Sequence, residues 1–453
     1  MKILVLNAGS STQKSSLYEI AGDRLPDIPP KPLWQAVVDW THHQDCAEIE
    51  VKTVAGEVRQ EKIPTQSHLE AIAHLLATLW QGKTAVIAHP SEINAVGHRV
   101  VHGGQEYCET VRVTDAVKAA IARLSTLAPA HNPANLDGIE AVESILGNKI
   151  PQFAVFDTAF HSNLPAAAAI YPGPYAWVER GIRRYGFHGI SHQYCARRAA
   201  QLLQRDWQNL RLIICHLGNG CSLSAVRNDR CVDTTMGFTP LDGLMMGTRS
   251  GAVDPGIPIH LMRQEGYTID RLDRELNKES GLLGISGVSS DMRQIVAAIA
   301  AGNERAQLAL DIYIHRLCSG IGSMLGSLGG LDALVFTAGV GENSALVRSR
   351  TCEAFEFLGL ALDSQLNENH PVDLDIATPD SKVRVLVIHT QEDWAIARVC
   401  FSELLDLLQI SQLRSLESVQ NCRDQQLDCN ANQSGDDDCD SVQIRCGRSS
   451  SGD

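Results

Sequence analysis

A pattern of apolar strand, glycine-containing turn and return strand occurs twice in this chain, at residues 1–16 and 211–226. In each copy the turn separates a run of aliphatic residues from a segment in which apolar and polar residues alternate. Such alternation is typical of a paired, half-buried strand. Two copies of one supersecondary unit in a single chain predict a duplicated architecture.

The polar residues of the two turns predict a site for phosphate. In the first turn, Gly9 lets the backbone bend, neighbouring hydroxyls and amides supply donors, and Lys14 supplies positive charge. The second turn contains Gly218, Asn219 and Gly220. Taken alone, the first turn is better explained as an ordinary hairpin whose polar residues serve only the bend. The recurrence favours phosphate binding.

A third glycine-containing turn, Thr337–Asn343, follows the apolar run Leu331–Phe336. Here a strand is predicted to lead through the turn into a helix, an arrangement that commonly approaches a nucleotide. The widespread nucleotide fingerprints fail, because Ala77 stands where a P-loop at Gly82 needs glycine, and Ser344 replaces the third glycine of a dinucleotide loop. Neither a P-loop nor a Rossmann fold is therefore predicted.

Length and charge limit the class of function. At 453 residues, of which 44% are hydrophobic, the chain is long enough for two α/β domains, each with its own core. A net charge of −14 argues against nucleic acid or an anionic membrane as the main partner, since both attract clustered positive charge. No apolar run has the length of a membrane span, and Ile3–Leu6 is too short for a signal peptide. We expect a cytoplasmic protein.

The cysteines divide into two groups. Nine of the thirteen are scattered between Cys46 and Cys400 without paired metal-ligand spacing, and we expect them to be reduced core residues. The other four lie in a terminal segment, residues 411–453, that is rich in Asp, Ser, Asn and Gln. Because that composition cannot bury a core, the segment is predicted to be disordered.

Periodicity and terminating residues predict the main elements. In the first half we expect strands at 1–6, 15–20, 34–40, 47–54 and 152–156, with a helix at 67–81. A second helix is predicted to begin at Asn135 as its cap and to end at Gly147. The strand that starts at Ala95 contains Arg99, and an arginine in an apolar strand needs a partner or a ligand. In the second half we expect a helix at 306–328, strands at 331–336 and 383–388, and a helix at 394–408.

Nine segments, taken together and in order, resemble the acetate kinase family, which belongs to the superfamily of sugar kinases, Hsp70-type ATPases and actin. They extend over residues 1 to about 408 and are Asn7–Lys14, Gly97–Gly104, Leu127–Asn132, Phe156–His161, Tyr185–Gly189, His216–Gly220, Thr239–Gly251, Phe336–Asn343 and Thr390–Asp393. The resemblance implies an α/β fold of two duplicated ribonuclease-H-like (actin-like ATPase) domains with an active-site cleft between them. The implied domains are residues 1–157 plus 393–410, the N-terminal actin-like ATPase domain, and 158–392, the C-terminal nucleotide-binding domain. The family also implies a homodimer.

By this resemblance the chain is expected to transfer the γ-phosphoryl group of ATP reversibly to acetate, giving acetyl phosphate and ADP by direct in-line transfer. Both substrates are anions, so the site must neutralise them with positioned donors and metal. A guanidinium group stays charged and binds carboxylate or phosphate through two nitrogens. The resemblance therefore assigns Arg99 to the acetate carboxylate, Arg249 to the transferring phosphoryl group and His188 to a donor in the transition state.

Asp157 is expected to orient the attacking carboxylate or to hold the metal through water, although a single Asp after a strand is also a common cap. The acyl pocket is assigned to Val101, Ala130, Phe187 and Pro240. Ala130 stands where the family usually has leucine, so we expect a larger pocket that tolerates propionate unusually well.

The resemblance places ATP and its metal mainly on the glycine turns. Nucleotide contacts are assigned to Lys14, His216, Leu217, Gly218, Asn219, Gly220, Asp291, Met292, Arg293, Gly339, Val340 and Asn343. Support of the phosphates is assigned to Ser10, Thr12 and His131. Asn7 and Glu392 are assigned to Mg²⁺, for which Mn²⁺ is expected to substitute, because one or two protein oxygens suffice for an ion that keeps several waters.

Two further departures from the family pattern concern the site. Thr12 replaces a serine and keeps the hydroxyl, whereas Ala252 replaces an aspartate and removes a charge near Arg249, which is expected to loosen that arginine. Two alternative functions stay open. One is a propionate or butyrate kinase of the same fold, and the other is a protein that binds a macromolecular partner under the control of ATP.

Overall fold

The computed structural model describes residues 1–9, 12–40, 46–65 and 67–409. Residues Met1–Phe401 form one compact unit. Of the second unit, Ser402–Asp453, residues 402–409 are described and are helical. Ser10 and the segment 411–453 lie outside the described residues. Among the described residues, no helix has both the length and the apolar composition that a bilayer crossing requires.

The first sheet has eight strands in the order β5-β4-β3-β2-β1-β6-β8-β7. Its strands are β1 Lys2–Ala8, β2 Thr12–Glu19, β3 Trp34–Asp39, β4 Ala47–Thr53, β5 Val58–Ile63, β6 Ala95–Val100, β7 Val111–Arg112 and β8 Gln152–Phe156. The second sheet has six strands in the order β11-β10-β9-β12-β14-β13. Its strands are β9 Arg211–Leu217, β10 Cys221–Arg227, β11 Arg230–Thr234, β12 Ala333–Thr337, β13 Leu374–Asp375 and β14 Arg384–Val387.

The two sheets have the same inner topology. In the first, β1 is antiparallel to β2 and parallel to β6, and β6 is parallel to β8. In the second, β9 is antiparallel to β10 and parallel to β12, and β12 is parallel to β14. Strand β3 is antiparallel to β2, and β11 is antiparallel to β10. Each hairpin predicted from sequence therefore opens one copy of a common five-strand pattern, and the predicted duplication is confirmed.

Helices cover the sheets and connect their strands. In the first half they are α1 His68–Ala77, α2 Asp115–Leu124 and α3 Asn132–Leu146, followed by α4 Ala166–Ala169, α5 Ala176–Glu179 and α6 Gly189–Leu203. In the second half they are α7 Gly256–Gln264, α8 Ile269–Lys278, α9 Gly281–Ser286, α10 Met292–Ala300, α11 Glu304–Leu328, α12 Ala338–Asn343, α13 Ala345–Glu353 and α14 Ser364–Glu368. Residues 392–401 are helical and close the first unit.

Each sheet has a hydrophobic core. Around the first sheet, strand residues such as Leu4 and Trp34 pack with Leu75 of α1 and Val142 of α3. Around the second, the long helix α11 buries a stripe that recurs every three or four residues, as expected for one face of a helix. This helix begins at the side-chain cap of Asn303 and ends at Gly329, whose φ of 68° is left-handed.

The predicted start of α3 is wrong. The helix begins at Asn132, with Pro133 in its first turn, and Asn135 lies inside it. Asn135 instead bonds across the fold, since its Oδ1 accepts from Val101 N at 3.1 Å and its Nδ2 donates to Ala8 O at 3.2 Å. The Asn135 amide therefore hydrogen-bonds the backbone at the ends of β1 and β6. The predicted end of the helix is confirmed, because Gly147 terminates it with a φ of 72°.

Candidate active site

The predicted site residues gather at the carboxyl ends of the parallel strands. Asn7 lies near the end of β1, Arg99 near the end of β6, and Asp157 directly follows β8. In the second sheet, Gly218 follows β9 and Thr337 ends β12. Open α/β sheets bind their ligands at these strand ends.

Arg99 is held by oxygen acceptors. Its Nε and Nη2 both donate to Asp157 Oδ2, at 3.1 and 2.5 Å, and its Nη1 donates to Asn7 Oδ1 at 3.4 Å. Burial opposes its charge, but the carboxylates of Asp157, Glu392 and Asp393 outweigh burial and raise the pKa of Arg99. The side chain of Asp157 is 2% exposed, and it is an ion-pair partner rather than a simple cap on β8.

Two acidic residues at the start of the last helix complete this cluster. Asn7 Nδ2 donates to Glu392 Oε2 at 3.3 Å and to Asp393 Oδ1 at 3.0 Å, and Ser16 Oγ donates to Asp393 Oδ2 at 2.7 Å. Burial pushes the pKa of Glu392 up, but positive neighbours led by Arg99 hold it below its usual range. Glu392 is therefore a carboxylate anion with oxygens suited to a hard cation.

His188 has a left-handed backbone, with a φ of 59°. This conformation is uncommon for a residue with a side chain and requires support from its surroundings. The backbone N–H of His188 hydrogen-bonds to the carboxylate of Asp157, and Gly189 N donates to Asp157 O at 2.9 Å. A Cβ at Gly189 would lie 2.2 Å from Asp157 O, so only glycine fits. On the other side, His161 Nε2 lies 3.0 Å from Phe187 O.

A network of buried histidines and hydroxyls surrounds the His188 ring. Ser222 Oγ lies 2.9 Å from His188 Nδ1 and 2.7 Å from His192 Nε2. The rings of His188 and His216 stack at 4.1 Å, and His216 Nδ1 lies 2.8 Å from Ser191 Oγ. Burial, followed by the neighbouring histidines and arginines, lowers the pKa of His188 well below its ordinary value. His188 is therefore neutral at pH 7.

Arg249 approaches His188 from the second half of the chain. Its Nη1 donates to Pro240 O at 3.1 Å, and no carboxylate of the described ranges forms an ion pair with it. Burial lowers its pKa. A Cβ at Gly220 would lie 3.4 Å from Arg249 Nη1 and 3.4 Å from His188 Nε2, so both groups meet at this bare glycine. An arginine with this environment is suited to an anionic ligand.

His131 lies under the influence of both arginines. Burial, followed by the charges of Arg99 and Arg249, lowers the pKa of His131 to about 4. It is the residue before α3 and makes no side-chain cap bond to that helix. A neutral imidazole between two guanidinium groups retains one N–H donor.

The residues assigned to the acyl pocket differ in their surroundings. Val101 and Phe187 belong to one buried cluster, and the ring of His102 packs edge-on against Phe187 at 5.5 Å. Pro240 is placed beside Arg249 by its carbonyl. Ala130 is exposed in the turn between α2 and α3. The structure thus buries Val101 and Phe187 in one cluster, places Pro240 against Arg249, and leaves Ala130 exposed one residue before His131.

Most of the predicted nucleotide residues line one cavity of about 920 Å³. Those that do are Gly218, Asn219, Asp291, Met292, Arg293, Gly339, Val340 and Asn343. Sequence reasoning missed the remaining lining residues, which are Ser290, Val296, Ser344, Ala345 and Leu346. Asp291 also caps α10 by accepting from Arg293 N at 2.8 Å.

Four predicted nucleotide residues lie outside that cavity. Lys14 is exposed on β2 opposite Asn7, in the strand that begins at Thr12, which was assigned to support of the phosphates. His216 and Leu217 end β9, and Gly220 faces Arg249 and His188. Gly220 directly follows the cavity residues Gly218 and Asn219 and faces His188, and the ring of His216 stacks on that of His188. The cavity and the buried histidines are therefore adjacent.

The third glycine turn, predicted to lead into a helix, is itself helical, since Gly339 and Gly341 lie within α12. Its first residue, Ala338, has a left-handed φ of 64°. Glu342 fixes the segment, because Oε1 accepts from Ala338 N and from Thr390 N, both at 2.9 Å. Glu342 Oε2 lies 2.6 Å from His389 Nδ1. This carboxylate therefore joins a cavity helix to the segment that carries Glu392.

Sequence reasoning missed the polar residues that act between the predicted ones. These are Asp393, Ser191, Ser222 and Glu342. Ser222 had one usable signal, because the hairpin of β9 and β10 pairs it with His216. The other three lie beside or within predicted segments, but Ser191, Glu342 and Asp393 bond to partners far away in the sequence, and no local pattern records those contacts.

A sequence profile of the acetokinase family matches residues 2–398. The chain is 67% identical over 401 residues to an acetate kinase of Cyanothece sp., covering 88% of this chain and 98% of that protein. It is 66% identical to an acetate kinase of Nostoc sp., with 88% and 99% covered. The crystal structure of Porphyromonas gingivalis acetate kinase matches with a TM-score of 0.81 at 41% identity, covering 88% of this chain and 99% of that one. A propionate kinase from Francisella tularensis matches with a TM-score of 0.79 at 37% identity, with 88% and 98% covered.

Proposed function

The chain belongs to the acetokinase family, and we propose that it transfers the γ-phosphoryl group of ATP reversibly to acetate, forming acetyl phosphate and ADP. The observation that carries the proposal is the meeting of Arg249 and His188 at Gly220, beside the nucleotide cavity and near the Arg99 cluster. Two permanent cations and a neutral donor suit two anionic substrates and a transition state whose charge spreads over equatorial oxygens.

The two arginines have different roles in this proposal. Arg249 has no carboxylate partner in the described part of the chain and binds the transferring phosphoryl group. Arg99 is oriented by Asp157 and binds the acetate carboxylate beside Val101 and Phe187. His188 Nε2 donates to an equatorial oxygen, and His131 supports the phosphates. Holding both reactants in line is the main contribution that a protein makes to phosphoryl transfer.

The acidic cluster suits Mg²⁺. Glu392 is ionised, and Asn7, Asp157 and Asp393 offer further oxygens next to it. Because no three His, Cys, Asp or Glu side chains of the described residues form a ready-made cage, the ion would rely on one or two protein oxygens with water and phosphate. When bound, Mg²⁺ or Mn²⁺ neutralises phosphate charge. Glu392 and Asn7 would hold it, and Asp157 would act through water.

Nucleotide binding falls to the cavity lined by Gly218, Asn219, Asp291–Arg293 and the α12 residues, with Lys14 and Thr12 closing over the phosphates from β2. The predicted division into domains, 1–157 plus 393–410 and 158–392, supplies the two halves that we propose to close and exclude water from the transfer. A cytoplasmic location stays a prediction.

We further propose a homodimer. Helix α7 has no buried residue, and it exposes Ile257, Ile259 and Met262 by 43–49%. Apolar residues grouped on one exposed helix are typical of a protein interface. Light scattering should give the mass of two chains, and Ile259→Glu should shift it towards one chain, whereas Val54→Glu, at an exposed position in the turn after β4, should not.

Acceptor dependence tests the proposed reaction. ADP release is measured with acetate, propionate, butyrate or no carboxylate, and acyl phosphate is trapped as hydroxamate with hydroxylamine. We expect ADP release to require a carboxylate and to equal hydroxamate formation. Slow ATP hydrolysis that ignores every carboxylate would instead favour an ATP-controlled binding protein.

A further inference from the structure

Ser222 lies between two histidines in the interior of the site. It belongs to β10 and has no exposed surface. Its Oγ lies 2.9 Å from His188 Nδ1 and 2.7 Å from His192 Nε2, and His192 is likewise buried. Both distances are those of hydrogen bonds.

A serine hydroxyl donates one hydrogen bond and accepts through its lone pairs, and a neutral imidazole has one N–H and one bare nitrogen. The hydroxyl of Ser222 could also accept from both rings, but its own proton would then be buried without an acceptor among the described residues, so two forms remain. In the first form, Ser222 donates to His188 Nδ1 and accepts from His192 Nε2–H. In the second form, both bonds run the other way. The proton of His188 lies on Nε2 in the first form and on Nδ1 in the second.

The far nitrogens of the two rings distinguish the forms. His192 Nδ1 is buried and has no hydrogen-bond partner in the structure. The second form puts a proton on this nitrogen and leaves a buried N–H donor unsatisfied, which is rare in proteins. The first form leaves only a bare nitrogen there.

The far nitrogen of His188 gives a second argument. His188 Nε2 and Arg249 Nη1 both lie 3.4 Å from the position that a Cβ would take at Gly220. In the second form His188 Nε2 is bare, and its lone pair would face an incoming phosphoryl oxygen, which also carries lone pairs.

We propose that Ser222 is a positioning residue that holds His188 in the tautomer with its proton on Nε2, so that the ring donates to the transferring phosphoryl group. His192 contributes as well, because its Nε2–H donates to Ser222 Oγ, and the hydroxyl proton is then left to donate to His188 Nδ1. The use of that proton rests on the proposed function, whereas the tautomer does not.

The tautomer can be measured directly in the full chain. Nitrogen-15 NMR of protein labelled at histidine separates protonated from bare ring nitrogens, and His188→Gln identifies the His188 signals by their loss. At pH 7 we expect His188 to be neutral with a protonated Nε2 and a bare Nδ1. A protonated Nδ1 would overturn the proposal.

Variants test whether Ser222 sets this state. In Ser222→Ala we expect the His188 signals to shift towards a mixture of tautomers and kcat to fall about tenfold, the scale of one orienting hydrogen bond. The KM values for ATP and acetate should change less than twofold. Ser222→Thr keeps the hydroxyl and should restore the Nε2–H tautomer.

Ser224→Ala is the matched control, because Ser224 lies in the same strand, is equally buried and bonds to Thr234 instead. It should leave both the His188 spectrum and kcat unchanged. An unchanged spectrum in Ser222→Ala, or an equal change in Ser224→Ala, would overturn the role of Ser222. If the wild type formed no acetyl phosphate but kept the Nε2–H tautomer, the proposed function would fail while the positioning role stood.

Discussion

Asp157 shows how one residue joins the two halves of the site. Its side chain accepts from Arg99 and from the backbone of His188, and its carbonyl accepts from Gly189 N. The acid that orients the arginine of the first sheet therefore also supports the strained backbone of His188, the residue directly before α6. Since both bonds depend on one buried carboxylate, the positions of Arg99 and His188 are coupled.

Ala130 is the residue at which we expect the substrate preference to be set. Replacing it with leucine, the usual family residue, should narrow the acyl pocket and reduce kcat/KM for propionate relative to acetate. One methylene is worth about 1–3 kcal/mol, so we expect a change of roughly tenfold. The ratio is measured with both carboxylates in the same hydroxamate assay.

Ala122→Leu is the control, because Ala122 is exposed on α2. It should leave the ratio unchanged. An Ala130→Leu variant with the same propionate-to-acetate ratio as the wild type would remove Ala130 from the pocket.

Residue types could be predicted from the sequence, but their partners could not. Arg99 was recognisable because a charge in an apolar strand needs an acceptor, and Asp157 because it ends a buried strand. That Asp393 and Glu392 share Asn7 depends on a contact across 385 or more residues, which no local pattern records. Asn135 was misread as a cap because the same residue type serves helix ends and buried bridges.

At the scale of elements, repeated hairpins were the most predictable feature. Strands β1, β2, β9 and β10 follow from alternation and turn residues, and the helix α11 from its buried stripe. The strand β5 alternates between exposed and half-buried residues and gave too weak a signal. The segment of α12 is predicted from sequence to be a turn that leads into a helix, because its two glycines disfavour helix, whereas in the structure the turn itself is helical and Glu342 fixes its first residue.

Helix α12 should depend on Glu342. Replacing Glu342 with alanine leaves the backbone N–H groups of Ala338 and Thr390 without their acceptor, and each lost partner costs about 1–3 kcal/mol. We expect a lower free energy of unfolding and a higher KM for ATP, because α12 lines the nucleotide cavity. Denaturant titration and initial rates measure the two effects.

Glu342→Gln keeps one acceptor oxygen and should lie between the wild type and Glu342→Ala. Glu353→Ala, at an exposed position in α13, is the control and should change neither quantity. Wild-type KM and stability in Glu342→Ala would contradict the coupling between α12 and the 389–390 segment.

At the scale of the molecule, buried neutral histidines should make stability depend on pH. Burial lowers the pKa values of His98, His102, His131 and His161 to about 4, against about 6.5 in an unfolded chain. Between these values the unfolded chain binds protons that the native protein does not, so stability falls as the pH decreases from 6.5 towards 4. Each group adds a slope of about 1.4 kcal/mol per pH unit.

Urea unfolding at a series of pH values measures this slope. His98→Asn removes one titrating group, and its acid slope should be smaller by about one proton, while its stability should parallel the wild type from pH 7 to 8. An equal slope in both proteins would show that His98 does not stay neutral in the fold.

We expect Arg99 of the first sheet and Arg249 of the second half to serve one reaction. The most direct measurement is kcat/KM for acetyl phosphate formation from ATP and acetate in wild type, Arg99→Ala, Arg249→Ala and the exposed control Arg123→Ala. We expect each of the first two variants to lose about 100-fold or more, the scale of one lost electrostatic contact to the transition state, and the control to lose nothing. Near-wild-type activity in either Arg99→Ala or Arg249→Ala would contradict a shared role of the two arginines.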